Sequence, residues 1–172
     1  MGAIAPSAPA LARAMARAAQ MANGTGDLTI ELGPGTGSVT RALIAAGISE
    51  ERLVLVERDR HLHAWLEGHF PRATVLHSDA RRLDEILPAG QAGHVSTVVS
   101  SLPLNSLPRT ERNEIVRAAF RVLSQDGCLV QYSYGVPSPL PCETLGLSGK
   151  RVAFAAANLP PASVWCFSRA FG

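Results

Sequence analysis

The stretch from residue 28 to residue 37 constrains the fold more than any other part of the chain. Residues 28–32 form an apolar run that contains one acid, Glu31, and the run breaks into a turn with Gly33, Gly35 and Gly37. Glycines at such a turn let backbone amides approach a ligand closely, and the turn delivers the ligand to the N-terminus of the following helix. The pattern predicts the first strand and the ligand loop of a nucleotide-type α/β domain.

The acid two positions before the first glycine indicates which ligand this loop takes. The carboxylate of Glu31 would repel the pyrophosphate of a dinucleotide, whereas it would hold the ammonium of a methionine moiety and lie comfortably beside a sulfonium. The sequence therefore predicts S-adenosylmethionine, and not NAD, as the cofactor.

Strand-like and helical segments alternate along the chain, which is typical of a parallel sheet covered on both faces. The predicted strands are residues 28–32, 53–56, 74–77, 95–99 and 128–134, followed by a closing antiparallel pair at 151–157 and 164–169. The predicted helices are residues 6–22, 38–46, 60–69 and 108–123, and the proline- and glycine-rich residues 135–149 are predicted to form a long loop. We expect an α/β, Rossmann-like fold: a central, mostly parallel sheet of about seven strands with an antiparallel C-terminal strand and helices on both faces.

Composition limits the number of domains and the classes of partner. With 172 residues and 47% hydrophobic content, the chain can bury one core, so we expect residues 1–172 to form a single domain on which the helix 6–22 packs. A net charge of +2 neither requires nor excludes nucleic acid. Three scattered cysteines indicate reduced thiols in a cytoplasmic protein, and the five histidines form no metal-ligand pattern, so we expect no metal.

Two further acids lie at predicted strand ends. Glu57 follows the second strand, where a carboxylate can accept hydrogen bonds from ribose hydroxyls, and Asp79 follows the third, where it can accept from an adenine amino group. Ligands of open parallel sheets bind beyond the carboxyl ends of the strands, so three acids at that edge favour a nucleoside site. The alternatives are a surface pair of Glu57 with Arg58 or Arg60, and a helix N-cap role for Asp79.

The end of the fourth strand bears on the methyl acceptor. Residues 100–104, Ser-Ser-Leu-Pro-Leu, resemble the tetrapeptide of adenine-N6 methyltransferases, in which Asn or Asp, a proline and an aromatic ring hold a flipped base. Ser101 is a weaker acceptor than Asn or Asp, and Leu104 cannot stack on a base. Leucines here and apolar residues in the loop that begins at residue 135 favour a lipid acceptor, with sealing of the cofactor pocket as the alternative role of each leucine.

Four segments carry a closer resemblance, and they lie at residues 2–7, 31–37, 99–104 and 132–139. Together they resemble bacterial phospholipid N-methyltransferases of the rhizobial type, within the class I methyltransferase superfamily. The resemblance implies conversion of phosphatidylethanolamine to phosphatidylcholine through its methylated forms. It also implies a phospholipid partner at a membrane surface and a cytoplasmic protein peripherally associated with the inner membrane. Members of the family carry an amphipathic helix ahead of the segment that matches Gly2.

These patterns and the resemblance together define the candidate site. The expected catalytic residues are Tyr134, Ser100 and Ser101, and the expected substrate-binding residues are Leu104, Tyr134 and Arg109. The expected cofactor-binding residues are Ser7, Glu31, Gly33, Gly35, Gly37, Glu57, Arg58, Asp79, Ala80, Ser100 and Leu102. Tyr134 has packing under the following loop as its alternative, and Arg109 has a solvated helix position.

Two alternatives to the lipid enzyme stay open. The first is an adenine-N6 methyltransferase acting on ribosomal RNA, which the leucine at position 104 and the modest charge disfavour. The second is a protein that binds S-adenosylmethionine without turnover. Because the apolar side of the helix 6–22 is mostly alanine, we expect this helix to pack on the domain and not on lipid.

Overall fold

The computed structural model describes residues 9–22 and 27–170, so the predicted cofactor contact at Ser7 lies outside the described residues. The helices are α1 (Pro9–Met21), α2 (Ser38–Ala45), α3 (Arg60–His69), α4 (Leu83–Ile86), α5 (Arg109–Val122) and α6 (Cys142–Leu145). The strands are β1 (Leu28–Leu32), β2 (Leu53–Glu57), β3 (Thr74–His77), β4 (Val95–Ser100), β5 (Leu123–Tyr134), β6 (Leu147–Ala155) and β7 (Ala162–Arg169).

One seven-stranded sheet carries the fold, in the order β3-β2-β1-β4-β5-β7-β6. The strands β1 to β5 pair in parallel, and β7 lies antiparallel between β5 and β6. Strand order reverses beside β1, which places a crevice at the carboxyl ends of β1 and β4. The expected Rossmann-like fold with an antiparallel C-terminal strand is confirmed.

Helices cover both faces of the sheet because each presents an apolar stripe of helical period. On one face α1, α2 and α3 pack through residues such as Leu11, Met15 and Leu43 against Val99, Val130 and Tyr132 of the sheet. On the other face α5 packs Ile115, Ala119 and Val122 against alternate residues of the same strands. No helix within the described residues is long and apolar enough to cross a bilayer.

The direction of α1 matters for the site. Its last residues lie beside the start of β4, since the Thr97 hydroxyl donates to the Ala22 carbonyl at 3.2 Å. The helix therefore runs antiparallel to the parallel strands, and its first turn lies toward their carboxyl ends. Leu11, Met15 and Ala19 of this helix are buried.

The loop predicted at residues 135–149 is shorter than expected. The structure forms α6 within it, ends α6 at Gly146 in the left-handed conformation with φ 66°, and begins β6 at Leu147. Gly149, which indicated a loop in the sequence, pairs with Phe167 inside the sheet, and a Cβ there would lie 2.6 Å from the Phe167 ring. The glycine serves close packing in a strand.

The strand predicted at residues 128–134 is longer than expected, since β5 begins at Leu123. Its register against β4 shifts between Val95 and Thr97, so Leu123 pairs with Val95 and Cys128 with Thr97. Residues 124–127 are polar or glycine, and they concealed the start of the strand because they carry no apolar alternation.

Candidate functional site

The glycine turn after β1 combines two tightly packed glycines with one open position. Gly33, Gly35 and Gly37 all have positive φ, at 65°, 58° and 81°. A Cβ on Gly33 would meet the Leu102 side chain at 2.4 Å, and a Cβ on Gly37 would meet the Phe70 ring at 2.5 Å. A Cβ on Gly35 would meet no atom of the described residues within 4 Å. The turn therefore leaves room for a ligand at its middle glycine.

Glu31 is a fully buried carboxylate held by two hydroxyls. Thr40 on α2 donates to its Oε2 at 2.6 Å, and Ser101 donates to its Oε1 at 3.1 Å. Burial raises the pKa of Glu31 to about 7, although the two hydroxyl hydrogen bonds act to lower it. No cationic side chain in the described structure lies within ion-pair distance of it. A buried carboxylate without a cation suits a cationic ligand group.

Glu57 ends β2 and is buried, with its carboxylate held in place by backbone. Its Oε2 accepts from the Gly35 amide at 3.2 Å and its Oε1 from the Asp59 amide at 2.9 Å. The alternative of a surface pair with Arg58 or Arg60 is wrong for the described structure, in which Arg58 pairs with Asp79 and Glu111. The carboxylate is oriented beside the open glycine, with lone pairs left to accept from a ligand.

Asp79 lies two residues after the end of β3 and caps the short 3-10 turn that begins at Ala80. Its carboxylate accepts from the Arg81 amide at 2.9 Å and from the Arg81 guanidinium at 3.1 and 2.8 Å. The guanidinium holds the pKa of Asp79 below its ordinary value. The N-cap alternative is therefore present in the structure, and a contact to an adenine amino group remains a prediction that would share this carboxylate with Arg81.

Residues 100–104 leave β4 and cross the crevice. The Ser101 amide donates to the Leu32 carbonyl at 2.9 Å, so the segment is tied to the end of β1. Ser100 is fully buried and its hydroxyl accepts from the Leu102 amide at 3.4 Å, which assigns it to the turn itself. Ser101, through its contact with Glu31, is the serine that borders the ligand space.

The prediction that Leu104 contacts substrate is corrected by the structure. Leu104 is completely buried and belongs to the core cluster that packs under α5. The 3-10 turn over Leu104–Ser106 directs the side chain inward. Leu102, by contrast, lies over Gly33 and stays partly exposed, and its contact with the cofactor remains a prediction.

Two polar residues at this site were missed in the sequence. Thr40 binds Glu31 from the buried side of α2. Gln131 is a fully buried amide in β5 that donates to the Leu102 carbonyl at 2.9 Å and to the Tyr132 carbonyl at 3.0 Å, and its Oε1 has no hydrogen-bond partner within the described residues. The available signal for both was a polar side chain at a position that the apolar period assigns to the core.

Tyr134 and Arg109 lie at the same edge on opposite faces of the sheet. Tyr134 ends β5 with 46% of its surface exposed, and its ring packs edge-on against the Tyr132 ring, 5.5 Å away. It shares the face of Tyr132, which packs toward α1. Arg109 is the exposed first residue of α5, on the other face.

Comparisons with known proteins agree with this geometry. Residues 29–127, more than half of the chain, match a family model described as a methyltransferase domain. An ornithine lipid N-methyltransferase of Singulisphaera acidiphila is 30% identical over 131 residues, which cover 74% of this chain and 67% of that protein. A ribosomal RNA small subunit methyltransferase A of Phenylobacterium zucineum is 39% identical over 99 residues, but these cover 55% of this chain and only 32% of that enzyme.

The solved structures share the fold. The glycopeptide N-methyltransferase MtfA, complexed with S-adenosylmethionine, superposes with a TM-score of 0.67 at 13% identity and covers 92% of this chain and 94% of its own. The strand order, the acids at the ends of β1 and β2 and the open glycine turn accord with the cofactor expected from the sequence. The chain belongs to the methyltransferase domain family, it has the class I fold, and its cofactor is S-adenosylmethionine.

Proposed function

We propose that this protein transfers methyl groups from S-adenosylmethionine to the headgroup amine of phosphatidylethanolamine and its methylated forms, toward phosphatidylcholine. The observation that carries the proposal is the structure of residues 101–104. Ser101 is hydrogen-bonded to Glu31. Leu104 occupies the position at which adenine-N6 methyltransferases have an aromatic ring, and its side chain is buried, so this turn has no ring to hold a flipped base. The similarity to an ornithine lipid N-methyltransferase supports a lipid amine as acceptor.

The chain provides a complementary group for each part of the cofactor. Glu31 would hold the ammonium, the backbone at Gly35 would approach the nucleoside closely, and Glu57 would accept from the ribose hydroxyls. Arg58, Asp79 and Ala80 lie at the neighbouring strand end for the adenine. When bound, S-adenosylmethionine supplies an electrophilic methyl group on a sulfonium.

Ser101 has a specific role in this proposal. A hydroxyl offers one proton and two lone pairs, and the Ser101 proton is already donated to Glu31. Its lone pairs are therefore the part available to a ligand, so Ser101 accepts an N–H of the incoming amine and aligns the nitrogen lone pair with the methyl group. An amine must be neutral to attack, and an apolar, water-poor mouth lowers its pKa toward that state.

Tyr134 lies where a methylated headgroup would leave the crevice. Its hydroxyl can relay the proton that the amine loses, because its oxygen takes up that proton as its own proton passes to solvent, to which nearly half of the side chain is exposed. The exposed face of the ring also favours the cationic methylated products. The sequence predicts that Arg109 binds the headgroup phosphate.

The proposal is tested by following the labelled methyl group. The protein is incubated with labelled S-adenosylmethionine, mixed micelles of phosphatidylethanolamine or an ornithine lipid, and ribosomal RNA, and the lipid and RNA fractions are counted separately. We expect label in methylated phosphatidylethanolamine. Label in the ornithine lipid alone would mean that the acceptor is a lipid amine other than phosphatidylethanolamine. Label in RNA alone would reject the lipid proposal. Cofactor binding without any labelled product would favour the alternative that the protein binds S-adenosylmethionine but does not transfer its methyl group.

The Glu57→Ala variant is expected to bind S-adenosylmethionine about 10- to 50-fold more weakly, because it loses the ribose contacts and releases the Gly35 amide that Glu57 orients. Isothermal titration calorimetry measures this change. Glu85→Ala is the matched control, since Glu85 is an exposed acid that pairs with Arg82 on the surface. Equal affinities of Glu57→Ala and the unmodified protein would contradict the placement of the ribose.

A further inference from the structure

A groove of about 670 Å³ runs between α1 and β6, outside the crevice described above. Its walls are one side of α1 from Ala10 to Ala22 and the segment 152–157, and Cys166 also lines it. The lining is mostly alanine with Met21, Val152 and Phe154, and these three side chains are exposed to solvent. Its volume falls within the range of about 300–1,000 Å³ that is usual for pockets of small molecules.

Two arginines give this apolar groove a distinct charge. Arg13 and Arg17 line it from successive turns of α1, and neither forms an ion pair within the described part of the chain. Neither α1 nor β6 contains an acid that could pair with them. Residues 1–8 and 23–26 contain no acid either. The groove thus combines apolar walls with cations that lack a carboxylate partner, which matches an amphiphile with an anionic group.

The groove lies on the same face of the sheet as the reactive edge. Glu31, Ser101 and Tyr134 occupy positions that alternate onto the face covered by α1 and α2, whereas Arg109 on α5 lies on the opposite face. The register pairs Tyr134 with Ala162 and Ala162 with Ala155, so the groove end at residues 155–157 is two strands from Tyr134. Two strand spacings are about 10 Å, comparable to the length of a phospholipid headgroup with its glycerol.

The antiparallel course of α1 completes the arrangement. Because the end of α1 is tied to the start of β4, Arg13 lies nearer than Arg17 to the edge that carries Tyr134. We infer that this groove holds an acyl chain of the phospholipid substrate, with the substrate phosphate bound by Arg13 and Arg17 while the headgroup amine reaches Ser101 and Tyr134. This inference rests on the proposed function and names the part of the protein that selects a lipid over a free amine.

The experiment compares a substrate that has a tail with one that lacks it. Methylation of dioleoylphosphatidylethanolamine in mixed micelles and of O-phosphorylethanolamine in solution is measured for two groove variants. The double variant Arg13→Ala/Arg17→Ala removes the phosphate ligands, and Ala14→Trp fills the groove with an apolar side chain. Arg117→Ala is the control, since Arg117 is an exposed arginine on α5, on the opposite face.

We expect the double variant to raise the KM for the diacyl lipid about tenfold or more, with kcat changed less than about threefold and an unchanged Kd for S-adenosylmethionine. Ala14→Trp should raise the KM for the diacyl lipid but not for O-phosphorylethanolamine. Arg117→Ala should match the unmodified protein. An unchanged KM in both groove variants would overturn the inference. Arg109→Ala is measured in the same assay, and if this variant alone raised the KM for the diacyl lipid, the phosphate would be bound at α5 and not in the groove.

A measurement that needs no turnover separates this inference from the proposed function. A phosphatidylethanolamine with a diazirine in its acyl chain is photo-crosslinked to the unmodified protein, and the labelled peptides are mapped. Labels in residues 9–22 and 152–157 would support the groove even if no lipid were methylated, in which case the proposed function alone would fail. Labels confined to other segments would overturn the inference that the groove holds an acyl chain, whether or not the lipid is methylated.

Discussion

The Glu31→Gln variant is expected to bind S-adenosylmethionine at least about 100-fold more weakly than the unmodified protein, although its cofactor-free form should be more stable at pH 8. The loss of affinity follows from the surroundings of Glu31, which is fully buried and forms no ion pair with any cation among residues 9–22 and 27–170. A charge-assisted contact to the ligand ammonium at such a position is worth several kcal/mol, of the order of 3.

The gain in stability follows from the same burial. The pKa of Glu31 rises from 4.5 to about 7 on folding, so the folded state binds the proton more tightly than the unfolded state. Stability is therefore full below pH 4.5, falls as the pH rises toward 7, and stays lower above it by about 3 kcal/mol. Glutamine removes this penalty, because one of the Thr40 and Ser101 hydroxyls can keep donating to the amide oxygen while the other rotates to accept from the amide N–H.

Two measurements check both halves of this prediction. Calorimetric titration at pH 8 gives the affinity, and thermal unfolding at pH 5 and pH 8 gives the stability; we expect the midpoint of Glu31→Gln to exceed that of the unmodified protein by about 5 °C or more at pH 8 and by less at pH 5. The affinity of the unmodified protein should also fall about tenfold per pH unit below pH 7. Glu85→Gln serves as the surface control. An unchanged affinity of Glu31→Gln at pH 8 would place the cofactor ammonium elsewhere.

The acids at the strand ends could be predicted from the sequence, whereas the side chains that contact them could not. Glu31, Glu57 and Asp79 could be predicted to lie at one edge because each acid is within two residues of the end of an apolar strand, and parallel strands bring such ends together. Their partners could not be predicted, since Thr40 and Gln131 reach the site from a helix and from a distant strand. Contacts of that kind depend on packing, which no local pattern encodes.

Leu104 shows the limit of arguing from neighbours in the sequence. Leu102 and Leu104 are two residues apart, yet Leu102 covers the glycine turn while Leu104 is buried under α5. A tight turn lies between them, in which the Leu104 amide donates to the Leu102 carbonyl at 2.9 Å, and the Gln131 amide donates to the same carbonyl. The α1–β6 groove was unpredictable for a similar reason, because it exists only where a helix and an edge strand meet.

The second large effect is expected for the glycine turn, where Gly33→Ala and Gly35→Ala should fail in different ways. Both glycines have positive φ, which costs any L-residue about 1–2 kcal/mol. At Gly33 the added methyl also meets Leu102 at 2.4 Å, so we expect Gly33→Ala to lose about 2–4 kcal/mol of stability. At Gly35 the methyl meets no atom within 4 Å in the part of the chain that the structure describes, so the cost to folding should stay near the φ penalty.

The affinity for S-adenosylmethionine should follow a different order from the stability. Because the space at Gly35 is the space assigned to the cofactor, Gly35→Ala should weaken binding about 30-fold or more while the protein remains folded. Gly90→Ala is the matched control: Gly90 has φ 87° and open space around it, but it lies in the loop before β4, at the opposite edge of the sheet. Its stability should fall as in Gly35→Ala and its affinity should not change. If Gly35→Ala bound the cofactor as tightly as Gly90→Ala, the open space at Gly35 would be an unused cavity and the cofactor would lie elsewhere along the edge.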